Sequence, residues 1–185
     1  MAAKRRTAPK PAAPKAAARK VPGLGTLRFK HGAWVSAAVP VAFFAGKRLP
    51  FSIEVDDDAS GGDAFGPEVA AAVAAFLALD EADRVSATKA VFASYVEMVK
   101  LIGDVAELGP LPKSRAGEIW KSVMPMEIRV VRRSSDRKRA DRDVYVLASS
   151  EIEWEPEHGL QLSFHRGAKL VRVSEQDGHA REEDA

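Results

Sequence analysis

Residues 144–174 read VYVLASSEIEWEPEHGLQLSFHRGAKLVRVS. Val144, Val146, Ala148, Ile152 and Trp154 alternate along the first part, so they share one face of a strand spanning Val144–Trp154. Leu160–His165 and Lys169–Ser174 repeat the two-residue period, and each is bounded by turn-forming residues. Three strands therefore run up and down, and Met126–Val131 supplies a fourth ahead of them. A two-residue turn at Arg166-Gly167 pairs Leu162 with Val171 and Leu160 with Val173, apolar against apolar. A three-residue turn would set Leu162 against Arg172. The same test assigns five residues to the other turn, Glu155–Gly159, or four with a bulge, placing Trp154 beside Leu160 and Ile152 beside Leu162. Pro156 sets φ there, and Gly159 supplies the left-handed conformation.

Upstream of this meander the period changes twice. Thr26–Lys30 and Trp34–Val41 flank His31-Gly32, a hairpin in which Phe29 faces Trp34. Pro50–Asp56 is a third strand with Phe51, Ile53 and Val55 inward, followed by a Gly/Asp/Ser loop over Asp57–Asp63. Pro67 fits the first position of a helix whose stripe is Val69, Val73, Phe76 and Leu77. Asp80 caps the next helix, with Asp83 near its positive end, and Val85, Thr88, Phe92, Tyr95, Val99 and Ile102 recur at helical steps. Ser114 caps a short third helix carrying Ile119, Trp120 and Val123, which ends before Pro125. Trp34, Trp120 and Trp154 all fall on apolar faces and are read as core.

The formal charge of +2 hides an asymmetry. Residues 1–20 hold Lys4, Arg5, Arg6, Lys10, Lys15, Arg19 and Lys20 and no acid. Removing those seven from the 28 basic residues leaves 21 against 26 acids, so the rest of the chain stands at −5. Residues 1–22 are Ala/Pro/Lys/Arg of low complexity and cannot bury enough apolar area to offset the entropy of ordering, so they are expected to be a disordered tail. Residues 23–185 are expected to form one domain. There is no cysteine, which excludes disulfides, thiolate metal sites and thiol catalysis. No apolar run is long enough to span a bilayer, and prolines interrupt the basic start, so the expectation is a cytoplasmic protein without a membrane partner. Abundant alanine points to a GC-rich bacterial genome.

The run Trp154-Glu155-Pro156-Glu157-His158-Gly159-Leu160, then Arg166-Gly167 and Asp177-Gly178, resembles a bacterial family of uncharacterised domains. Its members end in a tryptophan–acidic–x–acidic–His–Gly–Leu hairpin, a further strand and a short Asp-Gly tail. The likeness covers residues 24–180. It implies the same layout of early strands and central helices, and it brings no catalytic or binding residue with it. Related small domains look like neighbours of bacterial toxin systems, in which immunity proteins bind and block a toxin. The basic tail is not part of the family pattern.

Glu155, Glu157 and His158 are the metal candidates, because imidazole and carboxylate suit zinc or manganese, and Asp177 or His179 could complete the shell. Adjacent residues on a tight turn seldom converge on one ion, so the seven residues Trp154–Leu160 are read as scaffolding. No serine sits in a nucleophile elbow, and no catalytic residue or cofactor is expected. Asp56-Asp57-Asp58 lacks the spacing of a calcium loop. Two basic clusters could meet phosphates without reading sequence: the tail, and Arg132, Arg133, Arg137, Lys138, Arg139 and Arg142. Neither is interleaved with aromatic residues for base stacking.

The resulting expectation is an α+β fold, an antiparallel sheet of about seven strands with two to three central helices on one face. The functional expectation is a non-enzymatic interaction module, immunity-like in kind, whose acidic body suits a basic protein partner. The alternatives are a nucleic-acid-associated protein acting through the seven basic tail residues, and a metal-dependent enzyme at Glu155–His158.

Overall fold

The computed structural model describes residues 18–54, 65–102, 116–133 and 143–181. Ten strands are present among them: β1 (Arg19–Val21), β2 (Gly25–Lys30), β3 (Ala33–Val35), β4 (Val39–Val41), β5 (Lys47–Leu49), β6 (Phe51–Glu54), β7 (Val123–Arg133), β8 (Asp143–Ile152), β9 (Leu160–His165) and β10 (Lys169–Ser174). Two α-helices, α1 (Pro67–Leu77) and α2 (Glu81–Ile102), follow β6, and 3₁₀ turns occupy Ala42–Phe44 and Ala116–Ser122. Eight strands form one sheet in the order β1-β2-β3-β6-β7-β8-β9-β10, while β4 and β5 pair separately. Every neighbour in the large sheet is antiparallel except β6 and β7, which run parallel with Phe51 beside Ile128. A parallel pair needs a crossover, and the two helices lie within it. The fold is thus the expected α+β architecture with a C-terminal meander.

The core lies between the helices and one face of the sheet. Phe51, Ile53, Ile128, Val130, Val146, Ala148, Leu162 and Phe164 are buried on that face. Val69, Ala72, Val73 and Phe76 of α1 meet it from above. Phe164 stands edge-on to Phe43 at 5.4 Å and to Phe76 at 5.2 Å, an arrangement that the ring quadrupole favours. At Gly167 helix and sheet come into close contact. A Cβ there would overlap the Ala72 carbonyl, and the φ of +75° suits glycine alone.

Asp80 caps α2 as expected: its Oδ1 accepts the N–H groups of Ala82 (2.7 Å) and Asp83 (3.4 Å), while Asp83 Oδ2 accepts the Asp80 N–H (3.0 Å). The expected stripe of α2 is met in part, since Tyr95 is buried and Phe92 and Val99 pack partly buried against the core. Ala87, Val91 and Tyr95 face the core, whereas Val85 is 64% exposed. Thr88 instead accepts a hydrogen bond from Trp120 Nε1 at 2.8 Å. That bond ties the second 3₁₀ turn to α2 and leaves Val85 on the rim of an open groove of about 550 Å³.

Three other expectations need correction. The chain enters the sheet before residue 22: Arg19–Val21 pairs with β2, and the Arg19 guanidinium lies over the rings of Trp34 (6.0 Å) and Phe65 (5.5 Å). Val21 and Leu24 are the apolar anchors that hold this short edge, at 4% and 3% exposure. Trp34–Val41 is not one strand. Ser36 leaves the ladder, its Oγ accepting the Phe51 N–H at 3.0 Å, and Val39–Val41 pairs with β5 instead. The 3₁₀ segment ends at Ser122, and Val123 opens β7 opposite Ile152.

The turns of the meander also differ. Between β8 and β9 the last pair is Ser150 with Leu160, so Glu151–Gly159 makes nine connecting residues and Ala148 opposes Leu162. Ile152 stays paired with β7, and Trp154 drops out of the ladder into the core, edge-on to Tyr95 at 5.6 Å. Between β9 and β10 the turn holds three residues, since His165 opposes Lys169. A bulge at Val171 then restores apolar pairing as Leu162 with Val173. That one extra residue sends Arg172 to the far face of the sheet, opposite Ser163. The expected loop at Asp57–Asp63, the cap at Ser114, Val55 and the charged run at Arg137–Arg142 lie outside the described residues.

Candidate functional site

The far face of β8–β10 is polar and yet buried. Ser149, Gln161, Ser163 and Arg172 project from it at 5%, 1%, 0% and 7% exposure. The cover is the segment that follows β10. Gln161 Nε2 donates to the His179 carbonyl (2.7 Å) and Ser163 Oγ to the Ala180 carbonyl (2.6 Å). Arg172 Nη1 reaches the His179 carbonyl at 3.1 Å. The same guanidinium holds Asp177 with two parallel bonds of 2.8 and 2.6 Å, the fork geometry that carboxylates select. Ala180 is fully buried among Val131, Tyr145 and Leu147. The Arg172 bonds, and further the one from the His179 N–H, hold the Asp177 carboxyl below its ordinary value although burial pushes the other way. Two buried polar atoms under this cover, Gln161 Oε1 and His179 Nδ1, have no hydrogen-bond partner.

The seven-residue run Trp154–Leu160 supports the near end of the same segment. Glu155, 8% exposed, folds its carboxylate over the turn: Oε2 accepts the His158 N–H at 2.8 Å, and Oε1 lies 3.0 Å from His158 Nδ1. The bond to Glu155 raises the His158 pKa above its ordinary value. The Gly159 N–H closes the turn on the Glu155 carbonyl at 3.1 Å. Gln176 docks here, its N–H donating to the His158 carbonyl (3.1 Å) and its Nε2 to the Ser150 carbonyl (2.8 Å). Gly159 has a φ of +63°, and a Cβ there would stand 2.7 Å from the Ser150 carbonyl, in the path of Gln176. Trp154 and Leu160 are buried; Pro156 and Glu157 are exposed.

Of the metal candidates, Glu155 and His158 meet each other and Glu157 is exposed. Asp177 is engaged by Arg172. Among the described residues no three His, Asp or Glu side chains are grouped to hold a metal. Of the tail cations, Arg19 and Lys20 are in β1, and Lys4, Arg5, Arg6, Lys10 and Lys15 lie outside the described residues. Arg132 pairs with Glu68 at 2.6 Å. No helix among the described residues is long and apolar enough to cross a membrane.

Gln161, Ser163 and Arg172 were not legible as a site. Gln161 and Ser163 fall on the polar side of an alternating strand, which reads as solvent-facing. The available signal was Arg172 within an apolar strand with an aspartate five residues on.

Fold and site together define an α+β domain with a mostly antiparallel eight-stranded sheet, helices on one face and a folded-back segment on the other. The chain matches the family model described as a domain of unknown function (DUF6985) over residues 23–180, and it belongs to that family. No curated protein and no solved structure matches it.

Proposed function

We propose that this chain is a non-enzymatic protein-interaction module, binding and masking a partner in the manner of an immunity protein. One observation carries the reading. A buried polar surface, Gln161, Ser163 and Arg172, is directed at polypeptide: its donors meet two main-chain carbonyls and one carboxylate. Enzymes aim such groups at a reacting atom; here they grip the main chain and one carboxylate of a short irregular segment. The net −5 carried by residues 21–185 favours a basic partner and speeds encounter with it. Co-expression with the product of the gene beside its own, followed by gel filtration, tests the reading. Co-elution of the two is the expected result, and elution of this chain alone at micromolar concentration counts against it.

A further inference from the structure

We propose that the far face of β8–β10 is a recognition site for a peptide segment of another protein, one carrying an acidic residue three positions ahead of a small one, and that Asp177–Ala180 is the intramolecular occupant of that site. The inference rests on the interaction-module reading and names the segment of the partner that would bind.

The recognition chemistry is general to peptides. Gln161 and Ser163 donate to successive main-chain carbonyls, those of His179 and Ala180, groups that do not depend on side-chain identity. Selectivity comes from two side-chain sockets. Arg172, with 5% of its side chain exposed, takes a carboxylate through both Nη atoms. Val131, Tyr145 and Leu147 enclose a methyl group, with Ala180 at 0% exposure. The side chain between them, His179, adds only its main-chain atoms to this grip.

The intramolecular occupant also fits incompletely. Gln161, itself 1% exposed, leaves Oε1 without a partner, and His179 Nδ1 is also without one. A buried acceptor left unsatisfied weakens the complex that contains it, by the same desolvation that makes the satisfied bonds count. A ligand with an N–H donor facing Gln161 Oε1 would hold more tightly than the resident segment. The resident segment is irregular, turning through Gly178 at φ +77°, and no strand pairing fastens it to the sheet. Apart from the Gln176 N–H bond to the His158 carbonyl in the turn, side chains hold it, so it can leave while the β-ladder stays intact.

The test uses the full chain carrying Asp177→Ala and Ala180→Glu, which unseat the resident segment without touching the sheet. The probe is a fluorescein-labelled peptide of residues 174–181, read by anisotropy. The unseated variant is expected to bind at least about tenfold more tightly than the unaltered protein, whose tethered segment competes at high local concentration. Adding Arg172→Ala should abolish the binding. A folded double variant that ignores the peptide, or binds it equally well without Arg172, overturns the proposal. Should the double variant not fold, the unaltered protein decides. Millimolar peptide should shift the amide resonances of Gly178 and His179 toward free-chain positions, and stationary resonances overturn the proposal. A negative peptide result leaves the module reading to be judged separately by co-elution.

Discussion

On one face of β7–β10, Ile128, Val130, Val146, Leu162 and Phe164 meet the apolar side chains of two helices. On the other, Gln161, Ser163 and Arg172 meet the carbonyls and the carboxylate of a single irregular segment. Both faces are dry, but they are dry for different reasons. The first gains by removing hydrocarbon from water, which is non-directional and adds up over area. The second gains only from the polar groups it pairs, and it returns little net stability for doing so. The first face is therefore committed to the fold, while the second could exchange its cover at modest cost.

The largest expected effect breaks the first face. Phe164→Ala removes a ring packed between Phe43 and Phe76 and should lower global stability by about 3–5 kcal/mol, measured by urea unfolding. Asp177→Ala sharpens the contrast. It deprives Arg172 of its carboxylate, and a loss on the order of 2 kcal/mol should appear as faster amide exchange confined to Gln176–Arg181, with β7–β9 unchanged. A matching global loss would show that the two faces are one cooperative unit. Acid should mimic that substitution. The folded pKa of Asp177 lies below its ordinary value, so its contribution is complete above that value and fades as the pH falls through the folded one. The amide of His179, which donates to Asp177, reports the opening in a pH titration. The smallest effect belongs to Val85→Ser. The helical pattern counts Val85 as core, but it is 64% exposed, and stability should change by less than about 0.5 kcal/mol in thermal melts.

What the sequence revealed and what it hid follow from the same contrast. Apolar alternation located β9 and β10 to the residue and set Phe29 against Trp34, because one buried face punishes any odd shift of register. It could not find shifts that preserve the face. The β8–β9 pairing stands four residues from the expected one, and Val171 bulges out, yet in both cases apolar still opposes apolar. The three strand residues at Arg19–Val21 were hidden by a composition dominated by what precedes them. For the site, Glu155, His158 and Gly159 stood out as a turn, and the turn is there. Gln161, Ser163 and Arg172 did not, because burial on a second face depends on a segment that periodicity cannot place.

The parallel seam between β6 and β7 carries one more consequence, for synthesis. β1, β2, β3 and β6 leave the ribosome first, with β6 as an open edge bearing Phe51 and Ile53. Its neighbour β7 arrives only after both helices have been made, so that edge stays uncapped through much of translation. A nascent chain stalled between Ile102 and Val123 would hold half a sheet with a bare, apolar rim, the species most prone to stick to its own kind.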